Sequence, residues 1–297
     1  MHRADSTEPA DKLAFRIKRR YWIILLAMIL LLPPLSLVFQ ITGDSNFCGS
    51  WCPRMFFVWR KGSTLSAYLF GYLRSYMGVA LVLGILLVTF FFGRFWCSHV
   101  CPIGGSMELG SRLIPRILKI NFTRVPAPAF RYGYLTVYFG AAALGLGSLC
   151  CSYCNFATIP RLAAAPFSGA DLAYFMRTAG LINLGLVVLL GFFAKGGRAY
   201  CNLLCPIGAL DGLANRFGLR WGRRVSVQSS KCSGCGVCLD GCPTWAIELK
   251  DRKARINTLS CIPCGTCESA CPRGAIAYGK ADLNLPVPQA RLANEKI

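Results

Sequence analysis

The sequence predicts two unlike parts: an α-helical membrane region, with a four-helix transmembrane domain of two repeated hairpins, and a small α+β domain near the C-terminus. Three observations lead there. Long apolar runs recur in a chain whose mean hydropathy is +0.46, with only 15% charged residues, too apolar for an ordinary soluble protein. A cysteine motif in the first half returns 104 residues later. A doubled run of closely spaced cysteines occupies the tail.

Residues 1–20 are polar and end in Lys12, Arg16, Lys18, Arg19 and Arg20. The apolar run 21–41 follows, long enough to cross a bilayer core of about 30 Å. A signal peptide is the rival reading. The run exceeds a typical signal core, contains Pro33-Pro34 and lacks a clear small-residue cleavage site, which favours a retained helix kinked at the prolines. Three further spans are read at 76–92, 134–149 and 178–194. The third is rich in Gly and Ala, which permits close helix approach. Arg94, Arg112, Arg116, Lys119, Arg124 and Arg131 lie between the second and third spans. Lys195, Arg198, Arg216, Arg220, Arg223 and Arg224 follow the fourth, and the opposite loops hold fewer basic residues. This asymmetry places both termini in the cytoplasm, with four crossings. It also accounts for the net charge of +20 by orientation against lipid, without nucleic acid.

The repeat pairs Phe92-Gly93-Arg94-Phe95-Trp96-Cys97 and Cys101-Pro102-Ile103-Gly104 with Gly197-Arg198-Ala199-Tyr200-Cys201 and Cys205-Pro206-Ile207-Gly208. A weaker match joins Cys48 and Cys52 to Cys150 and Cys154, with Cys151 left unassigned. Copies running in the same direction imply a pseudo-two-fold axis along the membrane normal. Cys97, Cys101, Cys201 and Cys205 then gather at the inner face, and Cys48, Cys52, Cys150 and Cys154 at the outer one. Each set supplies four thiolates, enough for one cubane iron–sulfur cluster. The inner Cys-Pro steps start amphipathic runs, so Cys101 and Cys205 sit at helix N-termini, where free amides favour an anionic group. Arg94 and Arg198, three residues before each first cysteine, are placed to offset a cluster's charge; snorkelling to headgroups is the other reading. For the outer pairs, disulfides and redox-active dithiols stand beside the cluster reading. His2 and His99 are the only histidines and Cys-x-x-Cys-His is absent, so no haem is expected.

The tail reads Cys232-Ser-Gly-Cys235-Gly-Val-Cys238-Leu-Asp-Gly-Cys242-Pro243 and again Cys261-Ile-Pro-Cys264-Gly-Thr-Cys267-Glu-Ser-Ala-Cys271-Pro272. Three thiolates at two-residue intervals suit three corners of one cube, and the cysteine before each proline ligates the other cube. One cluster thus takes Cys232, Cys235, Cys238 and Cys271; the other takes Cys261, Cys264, Cys267 and Cys242. Zinc knuckles or a disulfide framework are the alternatives, but zinc sites use paired rather than tripled spacings. Residues 225–280 are expected to form a bacterial two-cluster ferredoxin-like α+β domain behind the membrane region 21–224, with 281–297 as a tail.

Together these motifs resemble the NapH-type membrane polyferredoxins, and the membrane halves of NosR and CcoG proteins are similar. The resemblance covers roughly residues 15–280. It implies an inner-membrane protein that moves electrons between quinol or a cytoplasmic donor and a periplasmic iron–sulfur or cytochrome subunit. The outer cysteine pairs go beyond that pattern, and Asn155 stands where the first copy has Pro53. The expectation is outer-sphere electron transfer without catalytic side chains, through two [4Fe–4S] clusters in the tail and one or two in the membrane region. A quinol dehydrogenase subunit and a metal- or thiol-reducing maturation factor are the alternatives.

Overall fold

The computed structural model describes residues 7–32, 73–123, 125–143 and 155–280. In chain order the first helices are α1 (Thr7–Leu31), α2 (Leu73–Phe92), α3 (Pro102–Leu113), α4 (Ala127–Ala143) and α5 (Asn155–Ala164). There follow α6 (Gly169–Phe175), α7 (Thr178–Val187), α8 (Ala199–Leu203) and α9 (Pro206–Phe217). Two π-helical turns, Trp96–Val100 and Val188–Phe192, lie before α3 and after α7. The C-terminal part holds β1 (Arg223–Val227), α10 (Val237–Asp240), β2 (Ile247–Lys250), β3 (Lys253–Ile256), α11 (Thr266–Ala270) and β4 (Ile276–Lys280).

Among the described residues the expected four-helix transmembrane domain is not built. Among the described residues no single helix is long and apolar enough to cross a membrane. In α1, Arg16, Lys18, Arg19 and Arg20 precede the apolar stretch, and the buried Arg20 bonds to the Ser98 carbonyl and to Glu108. The apolar stretch of α2 is Val79–Phe92, whose rise of 1.5 Å per residue gives roughly 21 Å against a core of about 30 Å. Arg131 interrupts α4 and is itself buried. The fourth span is short: its helical part is Thr178–Phe192, and among the described residues only the pair it forms with Gly169–Phe175, bent by 82° ahead of the expected span, reaches the required length and composition. The remainders of the first and third apolar runs, 33–41 and 144–149, lie outside the described residues.

The repeats are also not two self-contained hairpins. Helix α3 of the first repeat packs on the π-helical turn of the second, where Gly191 lets Met107 approach. Helix α9 of the second repeat packs on α2 of the first. Each amphipathic helix therefore buries its apolar face against the other copy. The shared core contains Ile103, Met107, Val187, Leu190, Ala199, Tyr200 and Leu203.

The tail is α+β, as expected. β1 pairs antiparallel with β4 from Arg223↔Lys280 to Val227↔Ile276, and β2 pairs with β3 from Ile247↔Ile256 to Lys250↔Lys253. The β2–β3 turn places Asp251 and Arg252 at φ 54° and 56°, the handedness that matches strand twist in a two-residue hairpin. The tail is tied to the end of α2. Arg224 donates to the carbonyls of Thr89 and Phe90 at 3.1 and 3.0 Å, and the Tyr278 hydroxyl donates to that of Phe92 at 2.7 Å. These bonds satisfy C-terminal carbonyls that a helix leaves unpaired.

Candidate iron–sulfur centres

The four inner cysteines come together across the repeats. Cys97 lies in the first π-helical turn, Cys101 caps α3, Cys201 lies in α8 and Cys205 caps α9. Pro102 and Pro206 occupy the first helical positions and leave the next amides free. The Gly208 amide donates to Cys205 Sγ at 3.3 Å. Burial pushes the Cys101 thiol up and the Cys201 charge adds to this, while the Gly104 and Ile103 amides pull it back. Burial likewise raises Cys205, with Cys201 and Cys101 close enough to contribute, and raises Cys97, to which Cys101 and Cys205 also contribute. The four thiols, Cys205 buried and the other three half-buried, thus lie within electrostatic reach of one another.

Two arginines lock that arrangement by crossing between the repeats. Arg94 donates from Nε to Asp211 Oδ2 at 3.0 Å and from Nη2 to the Gly208 carbonyl at 3.2 Å. Arg198 donates from Nη2 to Glu108 Oε2 at 2.7 Å and from Nη1 to the Cys97 carbonyl at 2.8 Å. Glu108 also accepts from Arg20 at 2.6 Å and from the Tyr21 hydroxyl at 2.8 Å. Asp211 also accepts from Thr89 and from the Cys97 thiol, the latter at 3.1 Å. Burial alone would raise the Glu108 carboxyl, but Arg198 and Arg20 hold it at about 2. The glycines of the two Cys-Pro-Ile-Gly steps make room for this exchange. A Cβ on Gly104 would strike the Arg198 guanidinium, and one on Gly208 would stand 3.2 Å from Arg94 Nη2. Both arginines are buried, which excludes headgroup snorkelling as their role here.

In the tail the cysteines gather in two sets. Cys232, Cys235, Cys238 and Cys271 line one small pocket, together with Val237, Leu249 and Arg273. Burial raises Cys261, with Cys267, Cys242 and Cys264 adding to it, and raises Cys242, with Cys264 adding. Gly236 and Gly265 precede α10 and α11 at φ 83° and 78°, the left-handed backbone that lets each cysteine run turn into a helix. Backbone amides point at the sulfurs: Ala246 to Cys242 and Ala275 to Cys271, both at 3.3 Å. Cys235 is exposed, and the Val237 amide, with Ser233 and Arg273, holds its thiol below the usual value.

None of the cysteines among the described residues is in a disulfide. Among the described residues no three His, Cys, Asp or Glu side chains are gathered for a single metal ion, whose ligands would each stand about 2.0–2.3 Å from it. Unpaired thiols in groups of four, with amides aimed at sulfur, fit a cubane, which offers four separate irons. Cys48, Cys52, Cys150, Cys154 and Cys151 lie outside the described residues. Glu108, Asp211 and Arg20 were not singled out by sequence reasoning. A signal existed: with only 13 acidic residues in the chain, one within the opening turns of each inner amphipathic helix is conspicuous.

A 4Fe-4S binding domain model matches residues 75–121 and again 176–224, covering both inner cysteine pairs. A 4Fe-4S dicluster domain model matches 231–276, covering all eight tail cysteines. The methylamine utilization ferredoxin-type protein MauN of Paracoccus denitrificans is 32% identical over 54% of this chain and 54% of its own length. YccM of Escherichia coli, named as a candidate electron transport protein, is 27% identical over 55% of this chain and 45% of its own. The uncharacterized protein MJ0749 of Methanocaldococcus jannaschii is 26% identical over 53% and 54%. The chain spans about half the length of the curated relatives it matches. No solved structure matches. The chain therefore carries 4Fe-4S ferredoxin-type domains: one motif used twice around the inner cysteines and a dicluster unit behind it.

Proposed function

We propose that the protein is an iron–sulfur electron carrier of the bacterial cytoplasmic membrane, of the NapH-like kind, passing electrons between a cytoplasmic donor or quinol and a periplasmic iron–sulfur or cytochrome partner. The observation that carries this reading is the coincidence of the two 4Fe-4S models with three separate gatherings of four unpaired thiols. Cys232, Cys235, Cys238 and Cys271 would hold one cluster, Cys261, Cys264, Cys267 and Cys242 a second, and Cys97, Cys101, Cys201 and Cys205 a third. Such clusters supply reversible one-electron storage. The chain's own residues bury or half-bury the inner and second sets, aim amides at the thiolates and place fixed cations beside them.

Lipid contact is supported by apolar side chains left exposed on α1 and α2, among them Leu26, Ile29, Leu83, Leu87 and Phe92. A cytoplasmic donor is supported by the first set. Its pocket includes the exposed Cys235, with Val237 and Leu249 as an apolar rim and exposed Lys231, Arg252 and Arg273 around it. That arrangement suits an acidic one-electron carrier protein.

Iron and acid-labile sulfide per chain test the reading. About twelve irons are expected from the three sets, and about sixteen if the outer cysteines also bind a cluster; a chain that binds none after anaerobic purification overturns it. Membrane fractionation, and recovery of visible absorbance when a periplasmic extract reoxidises the reduced clusters, test the placement and the partner.

A further inference from the structure

We propose that Arg94 is a positioning cation shared by two neighbouring redox centres, the Cys97/Cys101/Cys201/Cys205 set and the Cys261/Cys264/Cys267/Cys242 set, so that electrons pass directly between these two and the Cys232 set lies at the far end. This rests on the cluster reading above and adds an order to it.

The geometry is specific to one arginine of the symmetric pair. Arg94 spends two of its donors inside the repeats, on Asp211 and Gly208, and turns the third, Nη1, to the Leu259 carbonyl at 3.1 Å. Leu259 stands two residues before Cys261. The same carbonyl accepts from Arg131 Nη2 at 2.8 Å, so two buried guanidinium groups hold the approach to the second cysteine run. Asn215 donates to the Thr258 carbonyl, and Asn202 donates to that of Thr244, two residues after Cys242. The loop lies on α9 closely enough that a Cβ on Gly212 would stand 2.7 Å from the Leu259 oxygen. These buried bonds flank Cys261 and Cys242, both of the second set. Arg198, the repeat-related arginine, instead puts its donors on Glu108 and the Cys97 carbonyl, within the repeats.

The tail carries the contact onward. Helices α10 and α11 pack together, and Cys238 of the first set and Cys267 of the second lie in one buried cluster. The second set therefore adjoins both others. In each transfer one electron leaves one centre and enters the next; no bond forms, and Arg94 keeps its proton throughout. A cation fixed between two centres favours the reduced form of both, which keeps their potentials in step.

The experiment uses the full chain with its clusters loaded, titrated potentiometrically and followed by EPR, with iron counted in every sample. Arg94→Gln should shift the oxidised-to-reduced ratio of both the inner and second centres about tenfold toward oxidised, or about 59 mV each, and leave the first unmoved. Arg198→Gln should move the inner centre alone, and Arg94→Lys should restore most of the shift. With iron unchanged, a shift confined to one centre in Arg94→Gln, or spread equally over all three, overturns the proposal. Should Arg94→Gln fail to fold, the unaltered protein decides. Reducing the inner centre should broaden the EPR signal of the second but not the first, and absence of that broadening also overturns it. About eight irons in the unaltered protein, with only tail signals, would instead mark failure of the underlying cluster reading.

Discussion

Arg94 of the first repeat stands 3.0 Å from the carboxylate of Asp211 in the second, and both side chains are almost wholly buried. The reciprocal contact runs from Arg198 of the second repeat to Glu108 of the first at 2.7 Å. Each copy thus supplies the counter-ion of the other, and neither cysteine pair is held by its own repeat alone.

Removing one partner of such a pair leaves an uncompensated charge in a dry site. Asp211→Asn should lower stability by about 3–5 kcal/mol and reduce iron at the inner set. The double variant Arg94→Leu/Asp211→Leu should recover part of the stability but not the inner-centre potential. Denaturant unfolding and metal analysis of the two variants check this.

Glu108 makes folding sensitive to acid. Its carboxyl is held at about 2, below the usual value, so the stabilisation is complete above the unfolded value of 4.5 and is lost as pH falls through about 2. The shift corresponds to about 3 kcal/mol. Glu108→Gln should lower stability by about that amount at pH 7 and flatten the pH dependence between about 5 and 2. Unfolding midpoints measured across that window give the comparison.

The cysteine before each proline crosses to the other set. Cys242→Ser should therefore cost the second centre, with Cys261, Cys264 and Cys267, and leave the first EPR signal in place. Cys271→Ser should do the reverse. Loss of the first signal in Cys242→Ser would refute the crossed arrangement.

Two glycines in the first cysteine run differ in what surrounds them. At Gly236, φ 83°, a Cβ would meet only Leu249 Cδ1, at an ordinary contact distance of 3.8 Å. Gly236→Ala should cost about 1–2 kcal/mol from the backbone conformation alone. Gly234, at φ 74°, faces the Arg252 carbonyl, so Gly234→Ala should cost more and displace the β2–β3 turn. Thermal unfolding ranks the two.

Arg252 holds a left-handed conformation at φ 56° in the two-residue turn. Arg252→Gly relieves it and should raise stability by about 0.5–1 kcal/mol. Unfolding midpoints would register the gain.

The tail was legible because its chemistry is local: three cysteines at two-residue intervals, a proline and a left-handed glycine define each run whatever surrounds it. The membrane architecture was not. Hydropathy counts apolar residues along a window, and it passes over Arg131 folded inward from α4, Arg20 inward from α1 and the 82° bend before α7. A buried arginine and a solvent-facing one read alike in sequence, so basic residues taken as markers of sidedness prove, at Arg94, Arg198 and Arg131, to be internal struts.

What the residues determine unaided is which sulfurs belong to which short motif, that the inner motif occurs twice, and that Pro102 and Pro206 start helices there. The partners of the arginines were decided only on folding. Glu108 aligns in the repeat with Gly212, and Asp211 with Met107, so the two acids occupy non-equivalent positions and leave no trace in the repeat. A longer side chain one position further along its helix and a shorter one a position earlier reach equivalent guanidinium groups, because α3 and α9 each pack against the opposite copy. Side-chain reach and helix exchange set that match, and neither is written in spacing along the chain.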